Sequence, residues 1–589
     1  MAKAYICEPS ARGVGGHYLE YCMRAAGALS NTYEAKIVVH RKFDASSLEV
    51  NKEEFEIIRH FKTGYFDFPL HSLLARIKSA LLGLRSLIQK FGIKKIVSSL
   101  VLRSLIAASL AKHSKGIRRI VLLLIFLYAT KLVYGDREIK MVLGVLFLSG
   151  VIFAFRAKIK FVFIQLKELS ISKLGSFYWY FYNAFLSLKI TSRKREIAVL
   201  VKRQGLKKGD VLFLTSASYF DVLSIIRLLK KKNLNSTIWL VLRRDFDDWG
   251  ISKHQWRYAG SLLKKFRNIK IFSDTELLQT EYSDLLNLEV TLLPIISSQG
   301  EHAISQKKFL MSYLGDLREE KGFDGFLQLL KSRRYDSEQF FSQAYFPPSL
   351  RASNLHYVSE MNQIPNLEVL HLAATTGEYF DLLSSSEIVY LNYRSKNYKA
   401  RSSGIFVETI HADSFPLVSQ QTWMHKQISE LSRGHHNALW NKGTPRTISV
   451  NEKIAVESSF LLFQIIGPPN QMMELVFRSN SGIVYETSCW ADTNGVAFTP
   501  GPFLREFETI LIVDKKNSTN FHSIKVVACS NMEARWLGGL VLSAENNVSG
   551  VVDEYLRLRS TYIESLKYWG EFKAFHSEET FQKVLCGSL

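Results

Sequence analysis

A glycine-rich loop near the start of the chain has residues that could bind an anionic ligand. It runs Ser10-Ala11-Arg12-Gly13-Val14-Gly15-Gly16-His17, between an apolar strand pattern and a helical pattern. Glycines allow the backbone to approach a ligand closely, and the amides at a helix N-terminus attract anions. The spacing of Gly13, Gly15 and Gly16 is not the dinucleotide-binding fingerprint. The loop is compatible with a ligand site or with a simple tight turn.

Two further loops in the second half of the chain combine cations, glycines and one acid. The first is Gly315-Asp316-Leu317-Arg318-Glu319-Glu320-Lys321-Gly322, directly after an apolar run. The second is Tyr398-Lys399-Ala400-Arg401-Ser402-Ser403-Gly404, which opens a helical pattern with Glu408 a turn inside it. A solvated helix start is the alternative interpretation for Arg318 and Lys321.

The elements around these loops alternate between short apolar strands and amphipathic helices. In the first half, strand patterns occupy 4–7, 36–40, 211–214, 237–242, 269–272 and 288–293. In the second half, they occupy 309–314, 367–372, 388–392 and 415–419. This alternation predicts two parallel α/β domains. Because open α/β sheets bind ligands at strand C-termini, the first domain offers these candidates: Gly15, Gly16, His17, Ser216, Ser218, Tyr219 and Arg243.

Three of these segments together resemble the retaining, family-4-like glycosyltransferases of the GT-B fold. They are the Gly-Gly-His loop, the Gly-x-x-Arg-x-Glu-Lys-Gly turn and the Tyr-x-x-Arg-Ser-Ser-Gly-x-x-x-Glu stretch. The resemblance implies two Rossmann-like domains and transfer of a sugar from a nucleotide-sugar donor.

The resemblance also implies a role for each matching residue. Catalytic roles fall to Arg318, Lys321 and His17. Donor-binding roles fall to Gly15, Gly16, Arg401, Ser402, Ser403, Gly404, Ile405 and Glu408, with Glu408 on the ribose hydroxyls. Independently of the resemblance, Ser218, Tyr219 and Arg243 are the candidate acceptor contacts, because they follow strand C-termini of the first domain. A diphosphate leaving group needs its charge neutralised in the transition state, and no Asp-x-Asp metal motif stands at a plausible loop. We therefore expect no metal and no cofactor, and a UDP- or GDP-sugar as co-substrate.

The chain departs from the family pattern at two positions. The first glutamate of the family's pair should lie eight residues before Glu408, where this chain has Ala400. The family arginine directly follows the glycine, whereas Asp316 occupies that place and Arg318 comes two residues later. The alternative function is therefore a non-catalytic, GT-B-derived protein that binds carbohydrate or assists assembly.

The net charge of +22 comes from one segment of the first domain. Residues 70–208 contain 27 Lys and Arg against four acidic residues, whereas the rest of the chain contains 49 and 50. The same segment contains the two longest apolar runs, 120–134 and 141–155, each too short for a perpendicular transmembrane helix. Basic residues flank both runs, as in segments at the cytoplasmic face of a membrane.

Membrane contact is the interpretation we favour for this segment. The 112–160 hairpin would insert, and the surrounding basic helices would contact anionic headgroups. Buried core helices are one alternative. A nucleic-acid surface is the other, but long apolar runs would have no purpose there, so no nucleic-acid partner is expected.

The remaining segments complete the domain assignment. Short alternating runs from about Thr447 to Ala544 predict a β-sandwich inserted in the second domain, followed by closing helices. The domains are then 1–295 with the 70–208 insert, 296–445, 446–546 and 547–589. Five scattered cysteines and an N-terminus without a signal-peptide pattern indicate a reducing compartment. We expect the acceptor to be a lipid-linked glycan or a polysaccharide at the cytoplasmic face of a membrane.

Membrane attachment should depend on the 70–208 segment and should resist salt. Salt screens the basic flanks, but it does not release about 25 buried apolar residues that contribute about 1 kcal/mol each. High-salt washing should therefore leave the full-length protein in the membrane fraction, and detergent should release it. Recovery of the protein in the soluble fraction after gentle lysis, or its complete release by salt, would contradict membrane insertion.

Overall fold

The computed structural model describes most of the chain outside the basic insert. The described residues are 1–11, 17–43, 55–62, 173–231, 234–297, 306–315, 317, 319–332, 334–343, 357–371, 374, 376–442, 446–448, 453–455, 460–469, 471–478, 484–500, 509–514, 523–529, 539–542 and 548–587. The 112–160 hairpin lies outside these residues, so its interpretation stays a prediction. Among the described helices, none is both long and apolar enough to cross a membrane.

The first domain is a seven-stranded parallel sheet with helices between its strands. Its elements are β1 (Ala2–Glu8), α1 (His17–Leu29), β2 (Tyr33–His40), β3 (Glu56–Phe61), α2 (Lys173–Gln204), β4 (Val211–Leu214), α3 (Tyr219–Leu229), β5 (Thr237–Leu242), α4 (Lys253–Leu263), β6 (Ile269–Ser273), α5 (Glu276–Leu286) and β7 (Thr291–Leu292). The strand order is β3-β2-β1-β4-β5-β6-β7, with every neighbouring pair parallel. This is the doubly wound order of Rossmann-like domains, in which the direction of winding reverses between β1 and β4.

Local sequence explains where the first-domain helices begin. Ser218 caps α3 in a reciprocal capping box with Asp221, and Ser252 caps α4 in the same way with Gln255. Thr275 caps α5 by accepting a hydrogen bond from the Leu278 amide. These caps satisfy backbone amides that have no partner within the helix, and they fix the residue at which each helix begins.

The second domain repeats the same arrangement around a six-stranded parallel sheet. Its elements are β8 (Phe309–Tyr313), α6 (Phe323–Lys331), β9 (Phe340–Gln343), β10 (Leu367–Leu370), α7 (Thr376–Ser384), β11 (Ser386–Leu391), α8 (Ser395–Tyr398), α9 (Gly404–His411), β12 (Phe415–Ser419) and α10 (Trp423–Lys442). The order β10-β9-β8-β11-β12 is again parallel and doubly wound. The two predicted α/β domains are therefore present.

After α10 the chain forms two four-stranded antiparallel sheets. Their strands are β13 (Arg446–Ile448), β14 (Lys453–Ala455), β15 (Phe460–Ile466), β16 (Met472–Arg478), β17 (Val484–Trp490), β18 (Val496–Pro500), β19 (Thr509–Asp514) and β20 (Ser523–Cys529). The strand orders are β13-β20-β15-β18 and β14-β19-β16-β17. Their assembly into a sandwich remains a prediction.

One strand predicted for this all-β module belongs to the second domain instead. The predicted module extends to about Ala544 and so includes the apolar run 537–542, but β21 (Leu540–Leu542) pairs in parallel with β12 as the edge strand of the second sheet. A short apolar run is compatible with either sheet, and its sequence does not indicate which strand it will pair with. The antiparallel sheets therefore lie between two elements of the second domain.

The closing helices contact both α/β domains. They are α11 (Val548–Arg557), α12 (Arg559–Ser565), α13 (Gly570–Phe575) and α14 (Glu578–Gly587). Tyr555 and Trp569 are buried in the core of the second domain, whereas Phe581 and Leu585 are buried in the core of the first. Between them, the Ser297 amide donates to the His576 carbonyl, which attaches the segment that links the two domains.

Replacing Phe581 by alanine should destabilise the first domain, although this residue lies at the far end of the sequence. Its ring is 0% exposed, and removing a buried phenylalanine leaves a cavity that costs about 3–5 kcal/mol. Urea denaturation should show this loss in the free energy of unfolding. Ile563→Ala is the matched control, because Ile563 is 51% exposed and should change stability by less than about 0.5 kcal/mol. Equal effects of the two substitutions would contradict this role for α14.

Candidate active site

Lys321 and the N-terminus of α9 lie together at the carboxyl edge of the second sheet. A Cβ placed on Gly315 would lie 3.0 Å from Lys321 Nζ and 3.2 Å from Ile405 Cδ1. Gly315 has a φ of +108°, which other residues rarely adopt. Lys321 is only 4% exposed, and its ammonium lies 5.8 Å from the centre of the Tyr393 ring. A cation, a glycine backbone and a helix N-terminus therefore meet at one place.

Gly322 explains how the turn carrying Lys321 fits against the end of β11. Its φ is +69°, and a Cβ there would lie 2.1 Å from the Asn392 carbonyl oxygen. A larger residue would push the turn away from the sheet. Only glycine fits after Lys321 in the sequence motif, because a side chain there would collide with the Asn392 carbonyl. The close packing of this turn keeps Lys321 near α9.

The start of α9 has free backbone amides that could bind an anion. Ser403 caps the helix by accepting a hydrogen bond from the Phe406 amide at 3.3 Å. This leaves the amides of Gly404 and Ile405 at the positive end of the helix dipole. Together with Lys321, they can bind the phosphates of a nucleotide diphosphate.

Glu408 lies one turn inside α9 and is paired with a residue of the first domain. Its Oε1 is 3.1 Å from Nη1 of Arg24 on α1, and both side chains are at most 10% exposed. Burial raises the pKa of the Glu408 carboxyl, and the charge of Arg24 and a hydrogen bond from Tyr379 oppose that rise. Glu408 is therefore a carboxylate whose charge depends on its neighbours.

The loop before α9 is bonded to the first domain through three consecutive residues. Arg401 pairs with Asp245 at 2.7 Å and with Asp248 at 2.6 Å. Ser402 Oγ donates to Asp274 Oδ2 at 2.6 Å, and Thr275 Oγ1 donates to the Ala400 carbonyl at 2.8 Å. In this structure, Arg401 and Ser402 bind first-domain carboxylates, and their predicted contacts with the donor stay predictions.

A buried charge cluster lies at the carboxyl edge of the first sheet, centred on Arg243. The Arg243 guanidinium carbon lies 3.7 Å from the centre of the Tyr21 ring, and its Nε lies 3.5 Å from Asp274 Oδ2. Glu8, at the end of β1, accepts hydrogen bonds from the Thr215 hydroxyl and the Ser10 amide. Burial raises the pKa of both carboxyls and raises that of Tyr21 to about 12, while Arg243 opposes all three shifts.

Two of the predicted acceptor residues have local structural roles. Ser218 caps α3, and Tyr219 packs edge-on against Trp256 with ring centres 5.2 Å apart. Burial raises the pKa of Tyr219 to about 12. Both residues are less than 10% exposed, so a direct contact with an acceptor is not what their geometry favours.

The structure leaves several predicted residues undescribed. Gly15, Gly16 and Arg318 lie outside the described residues, and His17 is described only as the first residue of α1. The described residues contain no group of histidine, cysteine or carboxylate side chains with the geometry of a metal site.

Sequence reasoning did not identify three residues that belong to this region. Glu8 is an acid at the end of a buried parallel strand, which is a usable signal because ligands bind there. Asp245 follows strand β5 after two arginines. Nothing in the adjacent sequence indicates that it pairs with the distant Arg401. Arg24 had no signal, since an arginine on an amphipathic helix usually faces solvent.

No family model and no curated protein matches the sequence. Similarity is found to solved structures. Anabaena Alr3699/HepE in complex with UDP is 6% identical with a TM-score of 0.45, covering 100% of this chain and 99% of that one. The UDP-forming α,α-trehalose-phosphate synthase of Burkholderia vietnamiensis is 12% identical with a TM-score of 0.30, covering 42% and 66%. The chain thus spans just under two thirds of that enzyme.

A third solved structure is the lipopolysaccharide outer core galactosyltransferase WaaB. It is 10% identical with a TM-score of 0.32, covering 71% of this chain and 80% of that one. The three identities are 12% or less and the three TM-scores are below 0.5, so the chemistry has to be argued from the side chains.

Replacing Arg243 by alanine should destabilise the protein in a pH-dependent way. The substitution leaves Asp274 and Glu8 buried without this cation, and breaking a buried charge pair costs about 3–5 kcal/mol. A carboxyl whose pKa is raised in the folded protein binds protons more tightly than in the unfolded chain. Its destabilising effect is therefore present above the folded pKa and is relieved as pH falls.

The stability deficit of Arg243→Ala relative to the wild-type protein should accordingly shrink between pH 8 and pH 5. Urea denaturation at both pH values measures this difference. The double variant Arg243→Ala, Asp274→Asn should recover part of the stability at pH 8, because it removes one of the uncompensated charges. A deficit that is the same at both pH values would show that Arg243 acts through packing instead.

Proposed function

We propose that the protein is a glycosyltransferase that moves a sugar from a UDP- or GDP-sugar to a lipid-linked or polysaccharide acceptor. The observation that carries this proposal is the convergence of Lys321, Gly315 and the N-terminus of α9. These groups lie where a doubly wound sheet binds ligands, and they have the charge that a diphosphate requires.

The proposed reaction breaks the bond between the anomeric carbon and the diphosphate oxygen. A hydroxyl oxygen of the acceptor forms the new bond to that carbon, and the hydroxyl proton is released. Negative charge grows on the leaving diphosphate, so fixed cations and amides placed there lower the barrier. Lys321 and the amides of Ser403, Gly404 and Ile405 would supply this stabilisation without a metal, with Arg318 as a second cation. Retention at the anomeric carbon is proposed from the resemblance of the motifs.

Glu408 would accept hydrogen bonds from the ribose hydroxyls of the nucleotide. It lies one helical turn beyond the phosphate-binding amides, which is a suitable separation between a diphosphate and its ribose. Its burial excludes competing water, and a carboxylate has two oxygens that can accept hydroxyl protons.

The acceptor would meet the carboxyl edge of the first sheet, near Arg243 and the loop with Gly15, Gly16 and His17. The basic insert at 70–208 would hold the enzyme at the cytoplasmic face of a membrane, where lipid-linked acceptors are found. Its composition supports this placement, because apolar runs with basic flanks favour an anionic bilayer.

One observation favours the alternative of a non-catalytic carbohydrate-binding or assembly protein. Ala400 stands where the family has a glutamate, and its carbonyl is hydrogen-bonded to Thr275 of the first domain. A protein of this kind could bind nucleotide or glycan without turnover. Product analysis with membrane extract as acceptor separates the two functions, because only an enzyme releases UDP or GDP together with a new glycoside.

Substitution of Lys321 tests the phosphate site directly. Wild-type protein should bind a UDP- or GDP-sugar in the presence of EDTA, and Lys321→Ala should weaken binding roughly 10- to 100-fold, since a charged hydrogen bond contributes about 1.5–3 kcal/mol. Isothermal titration calorimetry measures both. Lys308→Ala is the matched control, because Lys308 is exposed and pairs at the surface with Glu368. If no nucleotide or nucleotide sugar from a broad panel binds the wild-type protein, the proposal fails.

A further inference from the structure

Arg24 is the one described residue that joins α1, the interdomain segment and α9. Its Nη1 is 3.1 Å from Glu408 Oε1 and donates to the Ile296 carbonyl at 3.0 Å. Its Nη2 pairs with Glu20, one turn earlier on α1. The side chain is 10% exposed, and that of Glu408 is 6% exposed. A first-domain cation is thus buried against the acid that the second domain contributes to the nucleotide site.

A buried carboxylate stays ionised only when a partner compensates for the loss of water. Burial raises the pKa of Glu408, and Arg24 is the largest of the influences that lower it. The titratable and charged groups that act on this pair come from several elements: Arg24 and Glu20 on α1, Tyr379 on α7, His411 on α9 and Glu578 on α14. Of these groups, Arg24 alone carries a positive charge within hydrogen-bond distance of the carboxylate.

We propose that Arg24 is a positioning residue of the nucleotide site, which holds Glu408 ionised and correctly oriented for the ribose although it belongs to the other domain. This inference rests on the proposed function, in which Glu408 binds the ribose. Each carboxylate oxygen has two lone pairs, so Glu408 can accept a hydrogen bond from Arg24 and another from a hydroxyl. A protonated or rotated carboxyl loses part of this capacity.

The arrangement makes nucleotide binding dependent on contact between the domains. When Arg24 and Glu408 separate, the buried carboxylate loses its neighbouring positive charge, and its affinity for the ribose hydroxyls falls. Binding of the nucleotide and pairing of the two residues therefore stabilise each other, as linkage requires.

The test measures the affinity of UDP and GDP for the full-length protein and its variants by calorimetry. Arg24→Gln should weaken binding on the order of tenfold or more, since one charge-assisted hydrogen bond to Glu408 is lost. Arg24→Lys keeps the charge without the planar fork and should recover part of the affinity. If Arg24→Gln does not fold, the comparison of Arg24→Lys with the wild-type protein still tests the inference.

The matched control is Glu276→Gln, which removes a different contact between the domains. Glu276 accepts hydrogen bonds from Trp423 and Gln427 of α10 and lies outside the proposed nucleotide site. Its substitution should leave UDP affinity within about twofold of the wild-type value. An equal loss in Glu276→Gln and Arg24→Gln would show that any weakening of the domain contact has this effect, and would overturn a specific role for Arg24.

The pH dependence of binding gives a readout that a purely structural role would not change. Without Arg24, the pKa of Glu408 rises further, so Glu408 becomes protonated at a higher pH. As the pH is lowered, nucleotide affinity should therefore begin to fall at a higher pH in Arg24→Gln than in the wild-type protein. Titration of the UDP phosphates is common to all variants and cancels in the comparison. If the wild-type protein binds nucleotide and Arg24→Gln binds it with the same affinity and pH profile, the inference is overturned and the proposed function stands. Failure of the wild-type protein to bind either nucleotide would overturn the proposed function and this inference with it.

Discussion

The burial of Glu408 is the constraint on which the arrangement of the site depends. A carboxylate removed from water needs a compensating cation, and the cation here is Arg24 on the first helix of the chain. The two residues are separated by almost the whole length of both α/β domains in sequence. Their pairing requires the two sheets and the segment between them to keep a fixed relative position.

Several other polar contacts also join the loop before α9 to the first domain. Arg401, Ser402 and the Ala400 carbonyl each have a partner on the first domain, and these partners follow strands β5 and β6. The same loop leads directly into the cap of α9. The position of the phosphate-binding amides is therefore coupled to the charge pattern on the edge of the first sheet.

The closing helices reinforce this arrangement from the opposite end of the chain. His576 lies between the two hydrophobic cores, and its Nδ1 is 3.0 Å from the backbone of Ile295. Burial lowers the pKa of His576 to about 4, so the ring is neutral at physiological pH. A neutral ring can be buried beside the interdomain segment without a counter-ion, which a lysine or arginine at this position would require.

The sequence by itself determined the two parallel α/β domains, because buried strands and amphipathic helices leave periodic patterns that neighbouring residues encode. It also located the Lys321 turn and the start of α9, since glycines and caps act over a few residues. The structure alone decided that β21 joins the second sheet, that Phe581 completes the first core, and that Arg24 meets Glu408. These are contacts between residues distant in sequence, and a single chain carries no local pattern that indicates which distant partner a charged or apolar side chain will find.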